Sequence, residues 1–576
     1  MRALLSNLSG AQKALLCFAA ILTALCSGFV IYGAADLHTP VPWGDSWDGL
    51  VQFYMNAQDG QAAAWWGQHN EHRFVISRAL YWLDYTVFGG ALVSLFLWNF
   101  LFAGLGVLLF IKLARIAVEK AGGIGATANF VGLLTALFLM AWLYLWTQYE
   151  TLAYAFNPHF FLAYVMPLWA FYLLYKTRES GRGKTFALAC VIGALSAGSM
   201  ANAIATLPFM ALYAAVMQMS AKRIGFLAVL SAVVIAVYMW GFQSVGGHGS
   251  VVQSTLTDPV GMMHFVLNYM GGPFFFFAAG VPAGPFVAPV FGAFFIGSCA
   301  VFAWQSIRAR AASAFPIMLL VFILYIGASA FATAGGRLPM GTGAAFAPRY
   351  TTSTVMAWAA LLLLYMPLIF SLMKTKTGQR LVTAGFIAAF TVVTLMQSTV
   401  FMEKRDWAKG RAIGGLAAEM QVRDDVYLKK IYGNPGKVLR ISKEASVRNI
   451  GFFGRDDYRN VRETIGTKAP PAPRACDAMI HGGADLPGDK NYARVYGAFS
   501  SQSPYVPSAV YIVSDKGDIV GYGLTDMERA LPDRPSTGSQ KFWFTAYIKA
   551  EKYGGDLYLQ DTKGKCRTDK INYPLK

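Results

Sequence analysis

Apolar residues fall in blocks rather than stripes through the first 400 positions. Eleven blocks, 14–34, 91–111, 127–147, 158–175, 186–200, 203–219, 225–243, 287–306, 314–334, 352–373 and 381–400, have the composition of bilayer-spanning helices. A hydrocarbon core of about 30 Å needs roughly 20 such residues per crossing. The run 186–219 has Lys184 before it and Lys222 and Arg223 after it, so one crossing would put these charges on opposite sides. It is read as a short up-and-down pair broken at Ser199-Met200-Ala201-Asn202. The first block is longer than the roughly 7–15 apolar residues of a cleavable signal and lacks a good A-x-A site, so it is expected to remain as an anchor.

Positive charge sets the expected orientation, because Lys and Arg in short loops are retained on the cytoplasmic side. With the N-terminus inside, 16 of the 20 basic residues before position 401 fall in cytoplasmic segments, and only Arg73, Arg78, Arg337 and Arg349 fall outside. The C-terminal region then lies on the exoplasmic side. Residues 262–278 and 74–88 are apolar too, but would invert this pattern if they crossed, and are read as helices lying at the outer interface.

From position 401 the pattern changes. A charged helical stretch, about 403–432, opens a connector that runs to 473 and contains Ala469-Pro470-Pro471-Ala472-Pro473. Alternating runs follow: SAVYIVSDKGDIVGYGL reads as a hairpin turning at Asp515-Lys516-Gly517-Asp518, and KFWFTAYIKA and GDLYLQD read as strands. The expected fold is therefore an α-helical polytopic membrane module over 1–400, with a long outer loop at 35–90, a helical connector over 401–473, and a mainly β-sandwich outer domain over 474–576. Cys476 and Cys566 flank that domain and are its one candidate disulfide on an oxidising face.

Composition agrees with this layout: 55% of residues are hydrophobic, only 14% are charged, and the mean hydropathy is +0.42. A net charge of +18 invites a nucleic-acid reading, but the basic residues are spread, 20 before position 401 and 29 after it, with no local tract. No nucleic-acid partner is expected. The six cysteines show neither a disulfide framework nor metal-ligand spacing.

The acids are more informative. Of ten in residues 1–400, six (Asp36, Asp45, Asp48, Asp59, Glu71, Asp84) lie in the loop between the first and second blocks. Carboxylates beside a bilayer are costly unless paired or used. Within the loop, Gly44-Asp45-Ser46-Trp47-Asp48 leads into a helical pattern of Trp47, Leu50, Val51, Tyr54 and Met55, read as an amphipathic helix on the membrane. Two readings of the acids stand: helix caps, or a pair of acids presented at the interface. Gln68-His69-Asn70-Glu71-His72-Arg73 is a second polar cluster; its histidines are three apart, unlike the H-E-x-x-H zinc motif. It is read as a hydrogen-bonded turn, as a metal site, or as binding substrate or phosphate through His69, Glu71, His72 and Arg73. Arg337 and Arg349-Tyr350 lie in a glycine-rich outer loop, where guanidinium groups would either bind a phosphate or reach toward lipid headgroups. Asn157-Pro158-His159, Gly246-Gly247-His248-Gly249 and Asn268-Tyr269 are further outer polar points, for which structural roles are preferred.

A carboxylate base and an arginine clamp at a membrane surface suit transfer of a sugar from a polyprenyl-phosphate carrier: the acceptor hydroxyl loses a proton and the phosphate leaves as an anion. The layout resembles the GT-C superfamily of integral-membrane glycosyltransferases, most closely its bacterial members that use polyprenyl-phosphate sugars. The resemblance implies a catalytic aspartate at Asp45 or Asp48, donor-phosphate binding by Arg349 and secondarily Arg337 with Tyr350, a glycan or glycolipid acceptor, and a place in a bacterial inner membrane with the C-terminal domain periplasmic. No cofactor is expected, since a monophosphate donor leaves no diphosphate for a metal to neutralise. Tyr505, Tyr511, Trp543 and Tyr547 are read as strand core, with sugar stacking as the alternative. A lipid-linked glycan polymerase or ligase, a lipid-linked sugar transporter, and a passive membrane anchor for the outer domain are the competing readings.

Overall fold

The computed structural model describes residues 8–243, 246, 249–277, 284–308, 313–401, 407–501, 508–526, 540–552 and 556–571. The chain forms two compact units. One comprises 1–36, 65–80 and 95–404; the other comprises 37–64, 81–94 and 405–576. The outer loop 35–90 is thus divided between them.

The first unit is helical. Among the described residues, eight helices are long and apolar enough to cross a membrane: Gly10–Asp36, Val93–Lys120, Gly125–Leu152, Pro158–Ser180, Ala221–Met239, Phe286–Arg308, Ala314–Met340 and Lys376–Gln397. A ninth candidate, Pro348–Leu364 with Met366–Leu372, is bent by 47°. Each of the eleven expected blocks contains helix, but eleven full-length spans is too many. Gly183–Ser196 and Ala201–Val216 are too short to cross alone, and the chain breaks between them at the expected place, where Ala201–Ala205 winds as a 3-10 turn. The expected surface helices at 74–88 and 262–278 are represented by Val75–Val87 and Pro259–Met270. Many outward side chains are large and apolar, including Ile21, Leu25, Leu97, Leu108, Val229, Val233, Phe286 and Trp304. Inside, close packing is set by small residues and buried amides. A Cβ on Gly33 would lie 2.7 Å from the Trp146 indole, so only glycine lets that ring seat against its helix. Gln397, buried, accepts from the Trp146 amide at 2.5 Å and donates to the carbonyls of Cys26 and Tyr144 at 3.3 and 3.2 Å, satisfying backbone groups where the helix around 143–146 breaks.

The second unit joins a helical layer to a β-domain. The layer is built from Trp407–Glu419, Asp425–Ile431 and Pro435–Val447, the last two capped by Asp424 and Asn434 through their side-chain oxygens. Seven strands follow among the described residues: β1 (Arg474–Leu486), β2 (Asp489–Ser501), β3 (Ala509–Ser514), β4 (Ile519–Asp526), β5 (Gln540–Lys549), β6 (Leu557–Asp561) and β7 (Arg567–Thr568). They close in the order β1-β2-β5-β4-β3-β6-β7, so the domain is a barrel and not the expected sandwich. Alternation along a strand is the same in both architectures. The difference lies in the short parallel pairing of β1 with β7, Arg474 opposite Arg567 and Cys476 opposite Thr568, which removes the free edges.

Cys476 and Cys566 form a disulfide across that seam, with Cα atoms 5.6 Å apart. One core fills the barrel, including Val495, Phe499, Val510, Ile512, Phe544, Ile548 and Leu559. The β3–β4 hairpin turns at Asp515-Lys516-Gly517, with Gly517 at φ +82° supplying the left-handed residue that a three-residue loop requires. The helical layer is fastened to the barrel through Asp424, 1% exposed, which accepts from Arg494 at 2.6 Å and from the Tyr547 hydroxyl at 2.9 Å. Tyr547 is therefore core, and Tyr511 packs on Tyr522 at 5.7 Å. Trp543, by contrast, is exposed beside His481. Tyr505, Gly247 and His248 lie outside the described residues.

Candidate functional site

In the second unit, the Gly44-Asp45-Ser46-Trp47-Asp48 segment is built against the helical layer. The Gly44 amide donates to the Ile431 carbonyl at 2.7 Å, and Gly44 itself has φ +52°. Arg411 lies over the Trp43 ring at 4.6 Å. Residues Trp47–Gln52 wind as a π-helical turn before the α-helix Phe53–Gln58. Such turns are rare and are often found at functional sites. The apolar stripe Trp47, Leu50, Val51, Tyr54 and Met55 is buried, with Trp47 edge-on to Phe452 and Phe453 and Tyr54 against Tyr85. The expected membrane-lying face is thus core packing, because helical spacing buries a stripe equally well against protein or lipid. Ser46, which precedes the turn, makes no side-chain cap to it.

Carboxylate oxygens of Asp45 and Asp48 lie within 4.8 Å of each other. The second oxygen of Asp48, Oδ2, accepts from Lys437 Nζ, and the same ammonium donates to the Tyr432 hydroxyl at 3.2 Å. Asp48 Oδ1 is buried and has no hydrogen-bond partner among the described residues. Burial alone would drive the Lys437 ammonium toward deprotonation, but the Asp48 carboxylate outweighs it and raises its pKa. Burial, reinforced by the charge of Asp48, raises the Tyr432 phenol. Lys437 was not marked by the sequence reading; its only signal was a place in Asn434-Pro435-Gly436-Lys437, a helix start.

In the first unit, Gln68 to Arg73 forms a tight turn in which His69 and His72 exchange backbone hydrogen bonds at 2.9 Å. His72 Nδ1 accepts from the Ala201 amide at 3.2 Å, seating the turn at the break in the 186–219 run. His69 packs against Phe74 and Phe156. Arg73 is 4% exposed and spends its guanidinium on the carbonyls of Tyr238, Trp66 and Trp240 at 2.9, 2.7 and 2.8 Å. That is a fastening role, and it leaves the guanidinium poorly placed for a substrate anion. Glu71 Oε2 lies 3.9 Å from Arg337 Nη2.

Arg337 ends the helix Ala314–Arg337, where a cation is favourable to the helix dipole. Arg349 is the opposite case. It stands in the first turn of Pro348–Leu364, where the dipole disfavours a cation. It is held there by Glu150, with Nη1 to Oε2 at 3.1 Å, and over the Tyr350 ring at 5.1 Å. Tyr350 stacks on Tyr269 at 5.2 Å, and Tyr269 shares a hydrogen bond with Ser353 at 2.9 Å. Asn157 donates to the Glu150 carbonyl at 2.7 Å, and Asn268 to the Thr342 carbonyl at 3.4 Å, both structural roles.

No protein-family model matches the chain, and no curated protein is similar enough to match it.

Proposed function

We propose that this chain is a polytopic membrane glycosyltransferase that takes a sugar from a polyprenyl-phosphate donor and passes it to a glycan or glycolipid acceptor. The observation that carries the reading is Arg349. A cation in the first turn of an apolar helix works against that helix's stability, whereas a guanidinium at a helix N-terminus makes an anion site. Glu150 and Tyr350 hold it in place. A donor phosphate is the anion expected at the end of a membrane helix, and its departure with the developing charge is what such a cation stabilises. Asp45 and Asp48 supply the carboxylate that takes the acceptor proton, and Arg337 is a second cation for the donor. The outward apolar faces of the helices support a bilayer setting, and the distribution of Lys and Arg favours an N-terminus in the cytoplasm and a barrel domain in the periplasm of a bacterial inner membrane. The Gln68–Arg73 turn contributes through Glu71, His69 and His72, with Arg73 as its fastener.

The broken run at Ala197–Ala205 and the 47° bend after Leu364 favour a second reading, a lipid-linked sugar transporter, in which interrupted helices carry the substrate. Purified protein incubated with a panel of polyprenyl-phosphate sugars separates the two. Transfer or donor hydrolysis by wild type, lost about 100-fold or more in Asp45→Asn, supports the enzyme. Arg349→Ala should raise the donor KM by about tenfold or more, with Arg349→Lys in between, because lysine keeps the charge and loses the planar fork. Flipping of lipid-linked sugar without turnover would favour the transporter.

A further inference from the structure

The helix Ala221–Met239 of the first unit is 19 residues long and apolar, yet only Leu227, Ser231 and Tyr238 along it are buried. These three lie on one line of the helix, so a narrow stripe meets protein and the rest of the surface faces outward. Phe226, Val229, Val233 and Val237 run along the outward side at spacings of three, four and four, and three residues further the stripe reaches Trp240, 83% exposed. The buried line ends at Tyr238, and there the Gln68–Arg73 turn fastens the helix. The Tyr238 hydroxyl donates to the Glu71 carbonyl at 3.0 Å and accepts from the Arg73 amide at 3.2 Å. The Gln68 side chain donates to the Gln243 carbonyl at 2.6 Å and accepts from the Gln243 amide at 3.0 Å. One guanidinium, that of Arg73, joins the carbonyls of Tyr238 and Trp240 at the helix end to that of Trp66, and it also lies over the Trp66 ring at 5.1 Å. Arg78, 5% exposed, holds the carbonyls of Trp65 and Gly67 at 3.0 and 2.5 Å. Two buried cations thus fix the backbone of a segment whose Trp66 ring stays 39% exposed.

The length of the helix says where these rings lie. Lys222 and Arg223 mark its first turn. From Lys222 to Trp240 the rise is about 27 Å, close to the roughly 30 Å of a hydrocarbon core. With the basic pair at one boundary, Trp240 falls at the other, and the shared guanidinium brings the Trp66 backbone to the same end. An indole suits that boundary, having an apolar ring and one N–H donor. We propose that Trp66 and Trp240 form an anchor for the headgroup–acyl boundary of the lipid, and that Arg73 clamps the two together so that the polar turn bearing Glu71 and His72 is held at headgroup depth. The proposal rests on the bilayer setting and is independent of the sugar-transfer reaction. It gives Arg73 and Arg78, two of the four basic residues that depart from the cytoplasmic bias of positive charge, a task in building the anchor.

The test uses the full-length protein labelled with fluorotryptophan in phosphatidylcholine nanodiscs, with the fluorine resonances of Trp66, Trp240 and Trp304 assigned by their loss in the three Trp→Phe variants. Trp304, 65% exposed on the apolar helix Gly284–Arg308, is the reference for contact with lipid. The nanodiscs carry phosphatidylcholine with a nitroxide either on the headgroup or at the end of the acyl chain. The two labels differ in depth by about 15 Å, half the hydrocarbon core, and paramagnetic broadening falls with the sixth power of distance, so the headgroup label should broaden Trp66 and Trp240 about tenfold more than the acyl label does. In Arg73→Met the two rings should no longer report a common depth. Arg73→Lys, which keeps the charge and loses the fork, takes its place should that variant fail to fold. Stronger broadening of either ring by the acyl label overturns the anchor. Broadening of Trp304 with none at Trp66 and Trp240 overturns it too, and means that protein, a second copy of the chain included, covers the rings. No broadening of any of the three overturns the bilayer setting and the anchor with it. Unchanged depths in the folded Arg73 variant overturn the clamp.

Discussion

The barrel is closed by two residue pairs of β1 with β7, and the Cys476–Cys566 disulfide spans that seam. The bond closes a loop with a sequence separation of 90. In the chain-entropy account, a cross-link over that length removes about 15.5 cal/mol/K from the unfolded ensemble, or about 4.6 kcal/mol at 25 °C. Both half-cystines are buried in the barrel core, so the Cys476→Ala/Cys566→Ala double variant avoids leaving a polar hydroxyl there. The assay is hydrogen exchange of the slowest amides in β2 and β5, whose register runs unbroken from Tyr492 opposite Lys549 to Ser501 opposite Gln540. Those amides exchange through global opening of the barrel, so 4.6 kcal/mol corresponds to a loss of protection of about 2,000-fold. Reduction of wild type should reproduce the effect without any substitution. A change below about tenfold in both experiments would refute the reasoning, and would mean that the seam is held by packing of Leu557, Leu559 and Ile571 rather than by the cross-link.

Glu419, 1% exposed, has its carboxyl pushed up by burial, with Ser446 and Arg462 opposing. A raised carboxyl binds its proton more tightly folded than unfolded, so the second unit should lose stability as pH rises from about 4.5 through the folded value; Glu419→Gln should flatten that slope in denaturant titrations at several pH values. Asp84, also raised by burial against opposing hydrogen bonds from Ser94 and Leu92, should contribute with the same sign, and Asp84→Asn should reduce the slope further. Arg73→Ala should cost about 1–3 kcal/mol of stability, seen as a lower thermal midpoint in detergent, because it strands the buried Tyr238 carbonyl and loosens the partly buried carbonyls of Trp66 and Trp240, while the donor KM of surviving protein stays unchanged. Gly33→Ala should destabilise the first unit by about 1–3 kcal/mol through its clash with Trp146, readable in the same thermal assay.

The sequence by itself determined what depends on composition and local period. Blocks of uniformly apolar residues have no stable alternative to helix in an apolar setting, which is why all eleven contain helix, and why the break at Ser199–Asn202 was visible where small and polar residues interrupt the run. The β3–β4 hairpin was legible because its turn needs a left-handed residue and Gly517 supplies it.

What only tertiary structure decided is whatever depends on a distant partner. Alternating strands carry no mark of whether their sheet closes, and closure came from β1 meeting β7 more than 80 positions away. The stripe Trp47 to Met55 had the right period for a membrane surface or a core, and Phe452 and Phe453 decided for the core. Arg73 and Arg349 read alike as exposed cations, but three carbonyls engage the first while Glu150 holds the second at a helix N-terminus. Asp48 had no assigned partner until Lys437, 389 residues along the chain, paired with it. Charge pairing acts through space, and a sequence records spacing along the chain alone.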